Sequence, residues 1–405
     1  MTGGQIGNVD LVKQLNSAVV YRLIDQQGPI SRIQIADISQ LAPASVTKIT
    51  RQLLERGLIK EVAQQASTGG RRAISLTTEV APFHSIAIRV GRDYIYLGLY
   101  DLAGQEKHLE RQLFTYTTQE ELVNGLTHFI EDFKQRHSVM IDQLIAISVV
   151  LPGLINPENG VIEYMPNISI DTHKLLLAET LEQHFNISCF VGNDVRAMAL
   201  AEHYFGASKD SYDSIVVSVH HGVGAGIIVN GQVFLGHNHN VGEIGHIQVN
   251  PLGDRCQCGN FGCLETVASE PAIIHHIRQR LEQGYPSSLP HNELLSIETI
   301  CYHAINGDEL ATMALTQAAN DLGKAIAMTV NMFNPQKIVI AGKINLAERI
   351  VYPALQRNIN HQSLHAFREQ LTIVPSNIDE HPALNAFALI KRAMLNGDLL
   401  QRLLD

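Results

Sequence analysis

With 405 residues, 45% of them hydrophobic and 17% charged, the chain is too long for one ordinary domain and has enough apolar mass for two or three packed units. No stretch reaches the roughly eighteen uncharged apolar residues of a membrane span, and the leading MTGGQIGNVDLVKQ lacks a signal peptide's apolar region, so a cytoplasmic protein without membrane insertion is expected. The net charge of −10 is unevenly placed: residues 1–76 hold nine Lys and Arg against five Asp and Glu, and this basic head of +4 on an acidic body of −14 suits phosphate contacts at one end only.

Val19, Val20, Leu23 and Ile24 recur at helical spacing within residues 16–27, and Gly28-Pro29 predicts where that helix ends. Ser31 is placed to cap a short helix burying Ile35 and Ala36; the turn Gln40-Leu41-Ala42 follows, and Pro43 opens a new helix. There Val46, Ile49 and Leu53 share one face, which directs Ser45, Thr47, Lys48, Arg51 and Gln52 outward as hydrogen-bonding and cationic groups. Past Gly57, the segments LIKEV and RAISLT read as two strands joined by a wing tipped with Ser67-Thr68-Gly69-Gly70-Arg71-Arg72. A trihelical packing module with a charged face would share the helices. The wing favours DNA: Gly69 and Gly70 allow close approach to a groove, and Arg71 and Arg72 suit the minor groove or its flanking phosphates.

From residue 83 strands alternate with helices: FHSIAIRV, YIYLGLYDL, a helix near 118–136, and LIAISVVLPG. A second set follows, with SCFVGND leading into a helix, the glycine-punctuated hairpin DSIVVSVHHGVGAGIIVNGQVF, a helical stretch from 309 to 333, and KIVIAG. The pattern predicts an α/β body of two lobes around a cleft. The expected domains are a winged helix-turn-helix over 1–80, a first lobe over 81–194 with 383–405, and a second lobe over 195–382; a single helix near 383–403 is expected to return to the first lobe.

Cysteine content is odd at five, and Cys256, Cys258 and Cys263 lie within eight residues, which suits metal ligation better than disulfides; Cys189 and Cys301 read as buried thiols. With His246 the three sulfurs complete a closed tetrahedral set, predicting structural Zn2+, and Gly253, Gly259 and Gly262 supply the tight turns of a knuckle. Glu243 and Glu265 flank the knuckle; they could accept sugar hydroxyls, orient a zinc ligand, or do both. Asn193-Asp194 closes an apolar strand and opens a helix, so Asp194 is read as an N-cap, or as a general base toward a sugar hydroxyl.

Glu243-Ile-Gly-His246 and Cys256-Gln-Cys258-Gly-Asn-Phe-Gly-Cys263-Leu-Glu265 closely resemble the two signatures of the repressor, open-reading-frame and kinase (ROK) family, and Leu41-Ala-Pro-Ala-Ser-Val-Thr-Lys-Ile-Thr-Arg51 with Ser67-Thr-Gly-Gly-Arg-Arg72 resembles its repressor branch. The resemblance covers nearly the whole chain. It implies a bilobal, actin-like sugar-kinase fold, with sugar held by Gly153, Asn193, Asp194, Glu243, His246 and Glu265, and His246 shared with zinc. Family kinases carry Asp-x-Gly-Gly-Thr on their first strand, where this chain has Arg89-Val-Gly91-Arg92-Asp93; the arginine removes a magnesium-arranging group, so no kinase activity is expected. A sugar 6-phosphate could instead meet Arg89, His220 or His221. The resemblance thus implies a homodimeric or homotetrameric repressor of amino-sugar genes, released from double-stranded operator DNA by N-acetylglucosamine 6-phosphate. An active kinase carrying a DNA-binding head, and a repressor controlled by a phosphotransferase protein partner, are the rival readings.

Overall fold

The computed structural model describes residues 6–63, 74–166, 168, 174–290, 295–379 and 381–405. Packing divides the chain into two compact units, residues 1–192 with 383–405, and residues 193–382.

The first unit opens with α1 (Ile6–Gln27), β1 (Ile30–Ser31), α2 (Arg32–Ser39), α3 (Pro43–Glu55), β2 (Ile59–Ala63) and β3 (Ile74–Thr78). Ser31 caps α2 in a reciprocal arrangement with Gln34, worth about 1 kcal/mol, and Pro43 sits in the first turn of α3, as expected. α1 starts ten residues ahead of the 16–27 segment, and Ile30–Ser31 adds a third strand, giving the antiparallel order β1-β3-β2. Val20, Tyr21, Ile24, Ile35, Val46, Leu53 and Leu76 form the core of this winged helix. The wing tip, Gly69, Gly70, Arg71 and Arg72 included, lies outside the described residues.

The unit continues through β4 (Phe83–Val90), β5 (Tyr94–Asp101), β6 (Glu106–Leu113), α4 (Gln119–Arg136), β7 (Gln143–Leu151), β8 (Leu154–Asn156), β9 (Val161–Tyr164), α5 (Leu177–Phe185) and β10 (Ser188–Asn193). Its sheet has the order β10-β7-β4-β5-β6, with β4 parallel to β7 and antiparallel to β5. Leu122, Leu126, Ile130 and Phe133 recur every three or four residues along α4 and bury one stripe in the same core as Ile86, Ile88 and Val90 of β4.

The second unit holds α6 (Asp194–Tyr204), β11 (Ser214–Val219), β12 (Val223–Val229), β13 (Gln232–Val233), α7 (Glu265–Ala268), α8 (Glu270–Glu282), α9 (Ile297–Ile305), α10 (Glu309–Phe333), β14 (Lys337–Ala341), α11 (Glu348–Gln362), α12 (His365–Arg368) and β15 (Thr372–Pro375). Its sheet order is β13-β12-β11-β14-β15. One core joins β11 and β14 to α8–α11, and a smaller one seats Met198 and Ala199 of α6 against Val216 and Ile228. Gly226 allows that seat: a Cβ there would fall 2.5 Å from the Ala199 Cβ and 2.7 Å from the Val195 carbonyl oxygen, so α6 could not lie as close over any larger residue.

The chain then returns to the first unit, but as two helices, α13 (Leu384–Asn396) and α14 (Asp398–Leu404), in place of the single helix expected; Gly397 at φ +97° ends the first. α13 packs on β4 and β7 on one side and on α1 on the other. Gln14, Ala18, Arg22 and Asp25 recur along one face of α1 and meet this seat. Arg22 donates to the Leu395 carbonyl at 2.8 Å, Gln14 to the Asp398 carboxylate at 2.9 Å, and Arg56 at the end of α3 to the Leu404 carbonyl at 2.9 Å.

Candidate functional site

On α3, Val46, Ile49, Thr50 and Leu53 are buried, so Thr47, Lys48 and Arg51 stand exposed and Ser45 and Gln52 half-buried. Pro43 and the apolar spacing produce this division, and the cationic pair Lys48 and Arg51, three residues apart, occupies one outward stripe. Arg32, which the sequence reading did not single out, fixes the helix: its Nε donates to Thr50 Oγ1 at 3.0 Å and its guanidinium pairs with Glu61 of β2 at 2.9 Å.

In the second unit, α6 begins one residue earlier in function than expected. Asn193, not Asp194, is the N-cap, its side-chain oxygen accepting the Arg196 N–H at 3.0 Å. Asp194 occupies the first helical position, where its carboxylate accepts the Val195 N–H at 3.0 Å and the Asn193 amide at 3.3 Å. Two adjacent cap-forming residues differ here only in which one has extended backbone, a tertiary outcome. The segment before His246 lies along β12, with the Ala225 N–H donating to the Gly242 carbonyl at 2.7 Å. That contact sets Glu243 within the field of Asp194, Arg196, His246 and Glu265. Glu243 keeps an exposed edge, yet the protein packed round its carboxyl pushes that group above the ordinary glutamate range; His246 and Arg196 oppose the rise and Glu265 and Asp194 add to it. Glu265 accepts the Val223 N–H at 3.4 Å. The second unit therefore gathers Asp194, Glu243, His246 and Glu265 electrostatically, whereas Gly153, in the turn after β7 at φ +135°, belongs to the first.

The ligand atoms of His246, Cys256, Cys258 and Cys263 all lie within 4.8 Å of one another, so the cluster is able to hold a metal ion. The His246 Nδ1 to Cys256 Sγ and Cys258 Sγ to Cys263 Sγ distances are both 3.6 Å. The knuckle closes on its own backbone: Cys256 N–H donates to the Asn260 carbonyl at 2.7 Å and Gly262 N–H to the Asp254 carbonyl at 2.8 Å. Gly262 is obligatory, at φ +65° with a Cβ position only 1.5 Å from the Asn250 carbonyl oxygen. Burial pushes the Cys256 thiol up and the Cys263 thiol up to about 12, while the Asn260 N–H draws Cys258 down; a bound dication would favour the thiolate at all three. Cys189 and Cys301 are free and buried, as expected, and burial pushes each up to about 12.

Arg89 is half-buried near the end of β4, paired in register with Tyr96 and Val150. His220 and His221 lie between β11 and β12, His221 exposed. The His220 Nε2 and Glu270 Oε1 atoms are buried with no hydrogen-bond partner among the described residues, although His220 Nδ1 comes within 3.8 Å of that glutamate. Arg196, 7% exposed on α6, is a further site residue that sequence reasoning missed; it donates to Asn240 at 3.2 Å and faces the carboxylates. A lone arginine among the small and apolar residues of Asp194-Val-Arg-Ala-Met-Ala-Leu-Ala201 was the available signal.

The ROK family model matches residues 85–393, and the MarR family model residues 14–65. The N-acetylglucosamine repressor of Escherichia coli O157:H7 is 57% identical over 401 residues, covering 99% of this chain and 98% of that protein. The crystal structure of a ROK family transcriptional regulator, a homologue of the Escherichia coli MLC protein, superposes with TM-score 0.92 at 42% identity over 98% of this chain and all of that one. A ROK family glucokinase from Streptomyces griseus, solved with glucose and AMPPNP, shares the fold at TM-score 0.65 and 22% identity over 76% of this chain and 99% of its own.

Proposed function

Because this chain belongs to the ROK family, we propose that its effector is N-acetylglucosamine 6-phosphate and that it represses genes for uptake and breakdown of that sugar. The chain is a DNA-binding transcriptional regulator with a MarR-type winged helix joined to an actin-like sugar-kinase fold, and it is not an enzyme. Among the described residues no helix is long and apolar enough to cross a membrane.

The observation that carries the effector reading is the gathering of Asp194, Glu243, His246 and Glu265 beside the cysteine knuckle. Carboxylates pair with vicinal hydroxyls, and His246 turns Nδ1 toward Cys256, which leaves Nε2 for a sugar oxygen. In this reading Asn193 and Gly153 complete the sugar contacts, and Arg89, His220 and His221 receive the phosphate. The orphaned Nε2 of His220 supports that role, since a buried ring nitrogen without a partner costs about 1–3 kcal/mol that a ligand oxygen would recover. Zn2+ is the proposed ion of the Cys3His set; it supplies rigidity to the loop between the two glutamates and, with four protein ligands, no open position for chemistry. The DNA contacts are assigned to Ser45, Thr47, Lys48, Arg51 and Gln52 of α3 and to Gly69, Gly70, Arg71 and Arg72 of the wing, in a homodimer or homotetramer. Proposed domain limits are 1–80, 81–194 with 383–405, and 195–382.

Fluorescence anisotropy on a selected palindromic duplex at fixed salt tests the reading. Release by N-acetylglucosamine 6-phosphate, but not by N-acetylglucosamine or glucose 6-phosphate, is expected; release by none of the three would overturn it.

A further inference from the structure

The first unit carries a second convergence of metal-ligating atoms, remote in sequence from the cysteine knuckle. His108 and Glu110 stand two residues apart on β6, hence on one face of the edge strand of its sheet, and His137 caps the C-terminus of α4. Both imidazoles direct Nε2 at the same atom, Glu110 Oε1, at 3.0 Å for His108 and 2.7 Å for His137, and the three ligand atoms lie within 4.8 Å of one another.

The surroundings hold this arrangement. The two rings lie with centroids 4.1 Å apart, tilted by 40°, and the fully buried Phe133 flanks His137 at 4.6 Å. Arg136 grips both carboxylate oxygens, with Nη1 to Oε1 at 2.5 Å and Nη2 to Oε2 at 2.7 Å, and Gln112 donates to Oε2 at 3.2 Å, so the carboxylate is fixed with Oε1 as the atom on which both rings converge. Asp132 binds the far side of Arg136 at 2.9 Å, so the one guanidinium is shared by two carboxylates and the locality retains a negative charge. The negative end of the α4 dipole adds to a potential that favours cations. Side-chain exposures of 38% for His108 and 13% for His137 give an ion an entry path without leaving the ligands loose.

We propose that His108, Glu110 and His137 form a binding site for a divalent transition-metal ion, Zn2+ or Ni2+ in chemical class, with a coordination position left open. Two imidazoles and one carboxylate are a borderline ligand set that selects such ions over Mg2+ or Ca2+. Coordination replaces the two imidazole N–H···O contacts to Oε1, which keeps its bond from Arg136 Nη1; each ring proton moves from Nε2 to Nδ1, so binding to neutral rings releases none. The ion would fasten the edge strand to the end of α4.

Equilibrium dialysis of the full chain against Zn2+, followed by metal analysis, tests this. Two ions per chain are expected, with Cys258→Ser/Cys263→Ser losing one and His108→Gln/His137→Gln the other. Adding Co2+ to protein already holding one Zn2+ should give weak visible bands without thiolate charge transfer, and His108→Gln alone, at the more exposed ligand, should abolish them should the double variant not fold. A single ion per chain in the parent, or two ions retained by His108→Gln/His137→Gln, would overturn the assignment.

Discussion

His246 Nδ1 and Cys256 Sγ stand 3.6 Å apart, which matches one edge of a zinc tetrahedron, about 3.6 Å for Zn–N near 2.1 Å and Zn–S near 2.3 Å. The Cys258–Cys263 edge, also 3.6 Å, falls close to the ~3.8 Å of two sulfurs on such an ion. Extracting the metal with a thiol-competing chelator should lower Tm by roughly 5–10 °C, and Cys263→Ser should reproduce the loss. A Tm unmoved by both would show that the knuckle closes without an ion.

The same knuckle positions Glu265, so sugar binding separates two effects. Glu265→Gln keeps the fold but should weaken binding of N-acetylglucosamine 6-phosphate by about 10- to 100-fold, the range for one charge-assisted hydrogen bond. Asp194→Asn should act similarly, because capping of α6 rests on Asn193. Calorimetric titration checks both, with circular dichroism confirming the helices.

For Lys48 and Arg51 the informative quantity is salt dependence. If either contacts a phosphate, its replacement by Ala should make the slope of log K against log salt shallower by about 0.9. A variant that instead loses preference for one base pair by ~1–3 kcal/mol at unchanged slope identifies that residue as a base reader.

The α1 seat contains a buried ion pair, Asp25 Oδ1 to Lys391 Nζ at 2.6 Å, with side chains 13% and 10% exposed. Lys391→Met should destabilise the first unit by about 3–5 kcal/mol by stranding the carboxylate, and adding Asp25→Leu should recover most of that. Denaturant unfolding of the single and double variants measures the coupling.

Asp308 caps the 25-residue α10. Burial alone would push its carboxyl up, but the N–H groups of Ala311 and Ser288 and the hydroxyls of Ser287 and Ser288 outweigh it and hold the group below the ordinary aspartate range. A folded-state value below the unfolded one means that the stabilisation is present above pH ~3.9 and is lost as pH falls through the lower, folded value. Asp308→Asn should therefore cost roughly 1 kcal/mol at neutral pH and flatten the acid limb of the stability curve.

Local chemistry made much of the fold legible. Ser31 and Pro43 place α2 and α3 because caps act within one turn, and the cysteine spacing marks the knuckle because its backbone turns are short-range. What depends on distant groups was not legible. Gly397 breaks the last helix where Gln14 and Ala18 of α1 crowd it, and no local pattern announces that neighbour. The choice of Asn193 over Asp194 as cap, and the placing of Arg196 beside Glu243, likewise follow from how α6 crosses β12. The departure Arg89-Val-Gly91-Arg92-Asp93 read correctly at the level of class, since a regulator needs no magnesium there.

The seat of α1 also imposes an order in time. Gln14, Arg22 and Asp25 emerge from the ribosome hundreds of residues before Asp398, Leu395 and Lys391, their partners. A nascent or prematurely stopped chain carries α1 and α3 without the surface that steadies them. Firm seating of the head is thus a record that translation has run past residue 398, and a message cut short yields a head of the right sequence on no fixed mount.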